Sequence, residues 1–210
     1  MTALAATGAR RVGVFGGAFD PPHIAHVALA EAAIGQFDLA ALHIVPTGQA
    51  WHKARALSAP EHRLAMARMA FGHLERAVVD GRELHRAGPT FTIDTLRALQ
   101  DENPDCQLCL FMGADQFAAF EQWHQWRAIL EIAIICIAER TGSVSTQARF
   151  DQFVPRNNRF FTLKLPLMPV SATFIRQALT LGAATAEEIA QWVPQAVARY
   201  ISLHHLYRPG

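Results

Sequence analysis

Two histidines three residues apart, His23 and His26, follow a glycine pair, Gly16-Gly17, and a turn built on Asp20-Pro21-Pro22. Imidazoles at i and i+3 share one face of a helix. In a first helical turn they would join unpaired backbone N–H groups and the positive end of the helix dipole, both of which favour anions. Glycines just ahead let the backbone come close to a ligand and take positive φ if needed. The chemistry this set suits is recognition of a polyanionic phosphate.

Those side chains need a strand ahead of them and a helix behind. Residues 12–15, Val-Gly-Val-Phe, are β-rich, and the glycine pair is expected to end that strand. Residues 24–37 carry an apolar, alanine-rich helical pattern that should stop near Gly35. Strand, glycine-rich turn, helix is the first unit of a nucleotide-binding α/β domain. The spacing is not G-x-G-x-x-G, and no Gly-Lys-Ser/Thr follows, so neither the dinucleotide fingerprint nor a P-loop is present.

The same alternation continues. Apolar runs at 42–46, 108–112, 133–138 and 160–165 read as buried parallel strands. Ser58-Ala59-Pro60-Glu61 reads as a capping box that starts a helix to about His73, with Leu64, Met66, Ala67, Met69, Ala70 and Phe71 as core. Short strands are expected at 78–79 and 83–86 around Asp80-Gly81. Helices are expected at 93–102, capped by Thr90 or Thr92, and from Ser171 to about Leu181. Residues 141–158 read as a loop with a short helix. Residues 186–207 read as two short helices separated by Pro194, with His204-His205 in an exposed tail. The fold class is therefore α/β, a doubly wound, mostly parallel, Rossmann-like sheet with a small C-terminal helical part. A flexible stretch, 1–10, should precede one domain, 11–210, whose C-terminal helices begin near 171.

Composition sets outer bounds. The 210 residues are 51% hydrophobic and 18% charged, with net charge +1. That describes a globular chain without the basic excess of a duplex-binding domain, so no nucleic-acid partner is expected. Cys106, Cys109 and Cys136 make an odd count. Cys106 and Cys109 should face opposite sides of a strand, and no second pair completes a zinc site, so all three read as free thiols. No signal peptide or membrane-length apolar run is found, which implies a cytoplasmic protein without a membrane partner. An oligomer is possible. No internal repeat or low-complexity linker is present.

Residues 16–26, Gly-Gly-Ala-Phe-Asp-Pro-Pro-His-Ile-Ala-His, resemble the first signature of the nucleotidyltransferase superfamily, G-G-x-F-D-P-x-H-x-G-H, with Ala25 in place of glycine. The wording is most similar to the nicotinate mononucleotide adenylyltransferase family. Residues 170–176, Val-Ser-Ala-Thr-Phe-Ile-Arg, resemble its second signature, Ile-Ser-Ser-Thr-x-Ile-Arg. Weaker matches lie between. Trp51-His52-Lys53 stands for Pro-His-Lys, Pro89-Thr90-Phe91-Thr92 for Pro-Ser/Thr-Tyr-Thr, and Gly113-Ala114-Asp115 for Gly-x-Asp. Trp123 falls where the family stacks an aromatic residue on the pyridine ring, and Arg140 where it aims an arginine at phosphate.

The resemblance implies transfer of AMP from ATP to nicotinate mononucleotide, giving deamido-NAD and pyrophosphate. It puts Gly16, Gly17, Phe19, Ser171, Thr173 and Arg176 at ATP, with His23, His26 and Arg176 catalytic. It puts His52, Lys53, Thr90, Phe91, Asp115, Trp123 and Arg140 at the mononucleotide. Mg²⁺ would accompany ATP, bridging phosphate oxygens and borrowing few protein ligands. Phosphopantetheine adenylyltransferase is the nearest alternative, and Trp123 and residues 89–92 argue against it. A silent nucleotide sensor would bind ATP without releasing pyrophosphate. A metal hydrolase would need a third ligand beside His23 and His26, and none is placed there.

Overall fold

The structure is a computed structural model and describes residues 9–48, 57–140 and 159–208. Six strands among these residues form one sheet: β1 (Arg11–Gly17), β2 (Ala41–Pro46), β3 (Ala77–Val79), β4 (Gln107–Gly113), β5 (Ala133–Arg140) and β6 (Phe160–Leu165). Their order is β3-β2-β1-β4-β5-β6, and every pairing is parallel. The chain steps outward from β1 in one direction through β2 and β3. It then crosses back to β4 on the other side of β1. In an open parallel sheet that reversal, beyond the carboxyl ends of β1 and β4, is where a ligand crevice is expected.

Alternation along the strands builds two apolar layers. Val12, Val14, Leu108, Leu110 and Met112 face one side, with Ile93, Leu96 and Leu99 of α3 (Thr92–Glu102) and Ile129 of α5 (Trp126–Ile132). Phe15, Cys109 and Phe111 face the other. There they meet Leu29, Ala30, Ala33 and Phe37 of α1 (Ile24–Phe37) and Met66, Ala67 and Ala70 of α2 (Pro60–Phe71). Cys106 and Cys109 pack on opposite faces as free thiols, and burial pushes the Cys136 thiol up. A short helix, α4 (Ala114–Ala118), follows β4. The C-terminal helices are α6 (Ala172–Thr180), α7 (Ala186–Trp192) and α8 (Gln195–Leu203). Ile175, Val193, Val197 and Ile201 carry them into the same layer as α1. Among the described residues no helix is long and apolar enough to cross a membrane.

Several local expectations are corrected. The β1 strand runs through both glycines, because Gly16 and Gly17 pair with Val45 and Pro46 of β2. Helix α1 passes Gly35 and ends at Phe37, capped by Asp38 in the left-handed region (φ 45°). Helix α2 starts from Ala59, not Ser58, since proline at the first position fixes φ while the Ser58 N–H donates elsewhere. Met69 is exposed. Thr92 lies inside α3, and Phe91 holds the N-cap position. Residues 83–86 are turn, not strand: Leu84 N–H donates to Gly81 and Arg86 N–H to Glu83. Side chains fix that turn, with the buried Glu83 carboxylate accepting from Thr95 Oγ1 at 2.7 Å.

Candidate active site

The turn after β1 is held by packing. Its Asp20-Pro21 bond is cis, and Phe19 takes φ 48°. The Phe19 ring is buried between Phe15, Phe71 and His26, with centroids 5.4, 5.5 and 5.2 Å away. Phe19 was expected at ATP; its side chain instead lies in the core beneath His26 and supports that ring. A Cβ on Gly17 would sit 3.0 Å from the Phe19 ring, so a side chain there would displace it. A Cβ on Gly16 would meet only the Val45 carbonyl, at 4.0 Å. Gly16 is thus an exposed residue on a central strand, near its carboxyl end.

His23 is the N-cap residue of α1 and is buried. Its backbone N–H donates to His26 Nδ1 at 3.1 Å, so His26 fills the place glutamate takes in a capping box. A backbone N–H only donates, which assigns a lone pair to Nδ1 of His26. The neutral ring then carries its proton on Nε2 as a donor. The two rings stack, 3.6 Å between centroids and 23° between planes.

The second signature meets the first here. Ser171 caps α6, its Oγ accepting from Phe174 N–H at 3.1 Å. Arg176 Nη2 donates to Thr173 Oγ1 at 3.0 Å, one turn back on the same face. Arg176 Nη1 donates to the Asp20 main-chain oxygen at 2.7 Å, joining residues 156 positions apart. Two helix N-termini, those of α1 and α6, are thereby tied through one guanidinium. The Asp20 carboxylate is buried and accepts from Ser58 N–H at 3.2 Å and from the Tyr207 hydroxyl at 2.6 Å.

Arg63 was not anticipated as part of this region. It is 2% exposed and donates to the carbonyls of Ser58, Ala18 and Thr47 at 3.0, 3.1 and 2.7 Å. It pins together the ends of β1 and β2 and the start of α2. The signal was available: 63, 66, 67 and 70 form one helical stripe, and the arginine stands on its apolar side.

The 89–92 segment and the region after β4 meet. Phe91 lies against the exposed His124 ring, 4.3 Å between centroids, which joins the start of α3 to the Trp123 segment. Trp123 is half-buried, edge-on to Phe120 at 5.7 Å. Thr90 is 6% exposed, and its Oγ1 has no hydrogen-bond partner among the described residues. Such a buried hydroxyl needs one, and it stands beside a helix N-terminus. Asp115 is exposed in the first turn of α4, where Gly113 is the N-cap. Arg140 ends β5 on the same carboxyl edge of the sheet. His52 and Lys53 lie outside the described residues.

The cytidylyltransferase-like family model matches residues 14–178, a span that begins in β1 and ends in α6. A protein of Albidiferax ferrireducens named probable nicotinate-nucleotide adenylyltransferase is 49% identical over 199 residues, covering 95% of this chain and 98% of the relative. One of the same name from Bordetella petrii is 38% identical, covering 95% and 100%. Among solved structures, Plasmodium falciparum nicotinic acid mononucleotide adenylyltransferase complexed with NaAD has a TM-score of 0.75 at 17% identity, covering 94% of this chain and 97% of that one. At that identity the likeness speaks for the fold.

Proposed function

The chain belongs to the nicotinate-nucleotide adenylyltransferase family of cytidylyltransferase-like proteins, and from that membership we propose how its crevice makes deamido-NAD and pyrophosphate from ATP and nicotinate mononucleotide. The mononucleotide's phosphate oxygen attacks the α-phosphorus of ATP, and the bond to the departing pyrophosphate breaks. No protein nucleophile is needed, so the chain's work is positioning and stabilising charge on the transferring group.

His23, His26 and Arg176 meet the ATP phosphates, with Ser171 and Thr173 at the start of α6 and backbone access at Gly16 and Gly17. The His26 Nε2–H tautomer supports this, because it leaves a donor for phosphate oxygen. On the mononucleotide side, Thr90 and the α3 N-terminus receive the nicotinate carboxylate, and Trp123 stacks on the ring beside Phe91. Asp115 takes ribose hydroxyls. Arg140, His52 and Lys53 serve the mononucleotide phosphate.

A Mg²⁺ ion entering with ATP would supply neutralisation of phosphate charge, with few ligands from this chain. Among the described residues no three His, Cys, Asp or Glu side chains cluster to hold a metal, and both Asp20 oxygens already accept hydrogen bonds. This donor set fits an ion bound chiefly through substrate phosphates. The reading takes residues 11–210 as one domain, supported by the layer Ile175, Val197 and Ile201 share with Phe15 and Phe19. A cytoplasmic location goes with the same reading, supported by the thiols at Cys106, Cys109 and Cys136.

The observation that carries the proposal is the Arg176–Asp20 hydrogen bond, which seats the second signature on the first. The test is pyrophosphate release from ATP with a panel of mononucleotides and with phosphopantetheine. Release with nicotinate mononucleotide is expected. ATP binding without release would identify a sensor, and release with phosphopantetheine alone would identify the other enzyme.

A further inference from the structure

We propose that Tyr207 is a positioning residue for ATP, acting through Asp20 to set the Arg176 guanidinium. This rests on the reaction assigned above. Three contacts form a relay: the Tyr207 hydroxyl donates to Asp20 Oδ1 at 2.6 Å, Arg176 Nη1 donates to Asp20 O at 2.7 Å, and Arg176 Nη2 donates to Thr173 Oγ1 at 3.0 Å. Asp20 is the hinge. Its side chain is held by Tyr207 and Ser58, which fixes the peptide whose carbonyl receives Arg176.

Tyr207 is itself held at both ends. Its main-chain oxygen accepts from Thr180 Oγ1 at 3.0 Å, at the end of α6. The chain beyond α8 turns back through two left-handed residues, His205 at φ 51° and Tyr207 at φ 64°. A bulky side chain takes that conformation only where surrounding contacts compensate for it. Leu206 and Tyr207 pack on the layer that holds Phe15, Phe19 and Ile175. Burial, followed by the adjacent Asp20 carboxylate, pushes the Tyr207 phenol well above its ordinary value, so it remains a donor to Asp20.

The relay ends on the ATP side of the crevice, so its loss should appear in ATP parameters and not in those of the mononucleotide. Tyr207→Phe keeps the ring and removes the hydrogen bond to the charged Asp20 acceptor, together with the one the hydroxyl shares with the Ser58 side chain. We expect about a tenfold rise in KM for ATP, and a matching loss of ATP affinity by calorimetry, with the mononucleotide KM within about twofold. In an Arg176→Ala background the same change should add about twofold or less, because the group it positions is gone. Equal effects on both substrates, an unchanged KM for ATP, or an undiminished tenfold loss without Arg176 would each overturn the proposal. If Tyr207→Phe does not fold, Thr180→Val loosens Tyr207 from the opposite end. It must then show an ATP-selective loss, and unchanged ATP affinity would overturn the idea. Wild-type protein that binds ATP but releases no pyrophosphate would refute the reaction instead, and the calorimetric arm would still test Tyr207.

Discussion

The backbone N–H of His23 points at Nδ1 of His26, 3.1 Å away, while the two imidazoles stack 3.6 Å apart. The pair is therefore one rigid object in which the first ring's peptide orients the second ring.

Replacing either histidine should damage the transition state more than ground-state binding. His23→Ala is expected to lower kcat by roughly 10²-fold or more with a smaller change in KM. His26→Ala should do the same. It should also lose the cap it gives the His23 N–H, worth about 1 kcal/mol and roughly 2–4 °C in Tm. Steady-state pyrophosphate release and thermal unfolding measure the two effects. A folded His23→Ala protein with unchanged kcat would remove that residue from the chemistry.

Arg63 should matter more to stability than any residue of the two signatures. Arg63→Met keeps the stem but strands three carbonyls in a buried place, with an expected loss of about 3 kcal/mol or more. Lysine should recover little, because one ammonium cannot reproduce three donations in a fixed plane. Urea unfolding checks both variants. A loss under about 1 kcal/mol for Arg63→Met would mean that water or a neighbour satisfies those carbonyls.

Selectivity for nicotinate over nicotinamide should follow from the donors around Thr90. The Thr90 hydroxyl and the N–H groups at the start of α3 suit a carboxylate, and no acidic side chain lies in residues 89–92 to accept from an amide. A buried mismatch there is worth about 1–3 kcal/mol, so nicotinate mononucleotide should be preferred at least roughly tenfold in kcat/KM. Trp123→Ala should weaken both substrates alike, since stacking does not read the substituent. Similar kcat/KM values for the two mononucleotides in the wild type would defeat the argument.

Stability should fall in acid through Asp80. Burial raises its carboxyl, but hydrogen bonds from His43 and from the Arg82 main chain and guanidinium outweigh burial and hold it at about 2. A depressed folded value contributes stability that is complete above the unfolded value, near 3.8, and is lost as pH falls through about 2. Allowing for solvent screening, this is on the order of 1 kcal/mol. Asp80→Asn should lose that increment at pH 6 and converge on wild type only below about pH 2. Denaturant midpoints across that range test it, and a constant difference at every pH would assign the effect to something other than ionisation.

Local signals in the sequence were readable where chemistry and structure are local. Ser171 was legible as an N-cap because a short polar side chain before an apolar helical pattern has few other uses, and residues 160–165 stand as the strand their β-rich pattern indicated. The first signature announced its helix because proline, histidine and the alanine run act within one turn. The strand through Gly16 and Gly17 was not legible, because pairing with β2 overrides glycine's weak strand preference. Ser58 looked like a cap until Asp20, 38 positions earlier, took its N–H. Arg63 acts on carbonyls contributed by three separate segments, which only the fold brings together, and Tyr207 carried no pattern at all.

The Asp20–Tyr207 hydrogen bond spans 187 positions, which has a bearing on how the protein is made. Ribosomes add about 5–20 residues per second, so Asp20 waits roughly 10–40 s for the tyrosine that completes its carboxylate. The β1–α1 unit can form early, but the guanidinium and phenol that organise its turn arrive last. During synthesis the nascent chain therefore carries the turn after β1 before Arg176 and Tyr207, which hydrogen-bond to its Asp20, have been added.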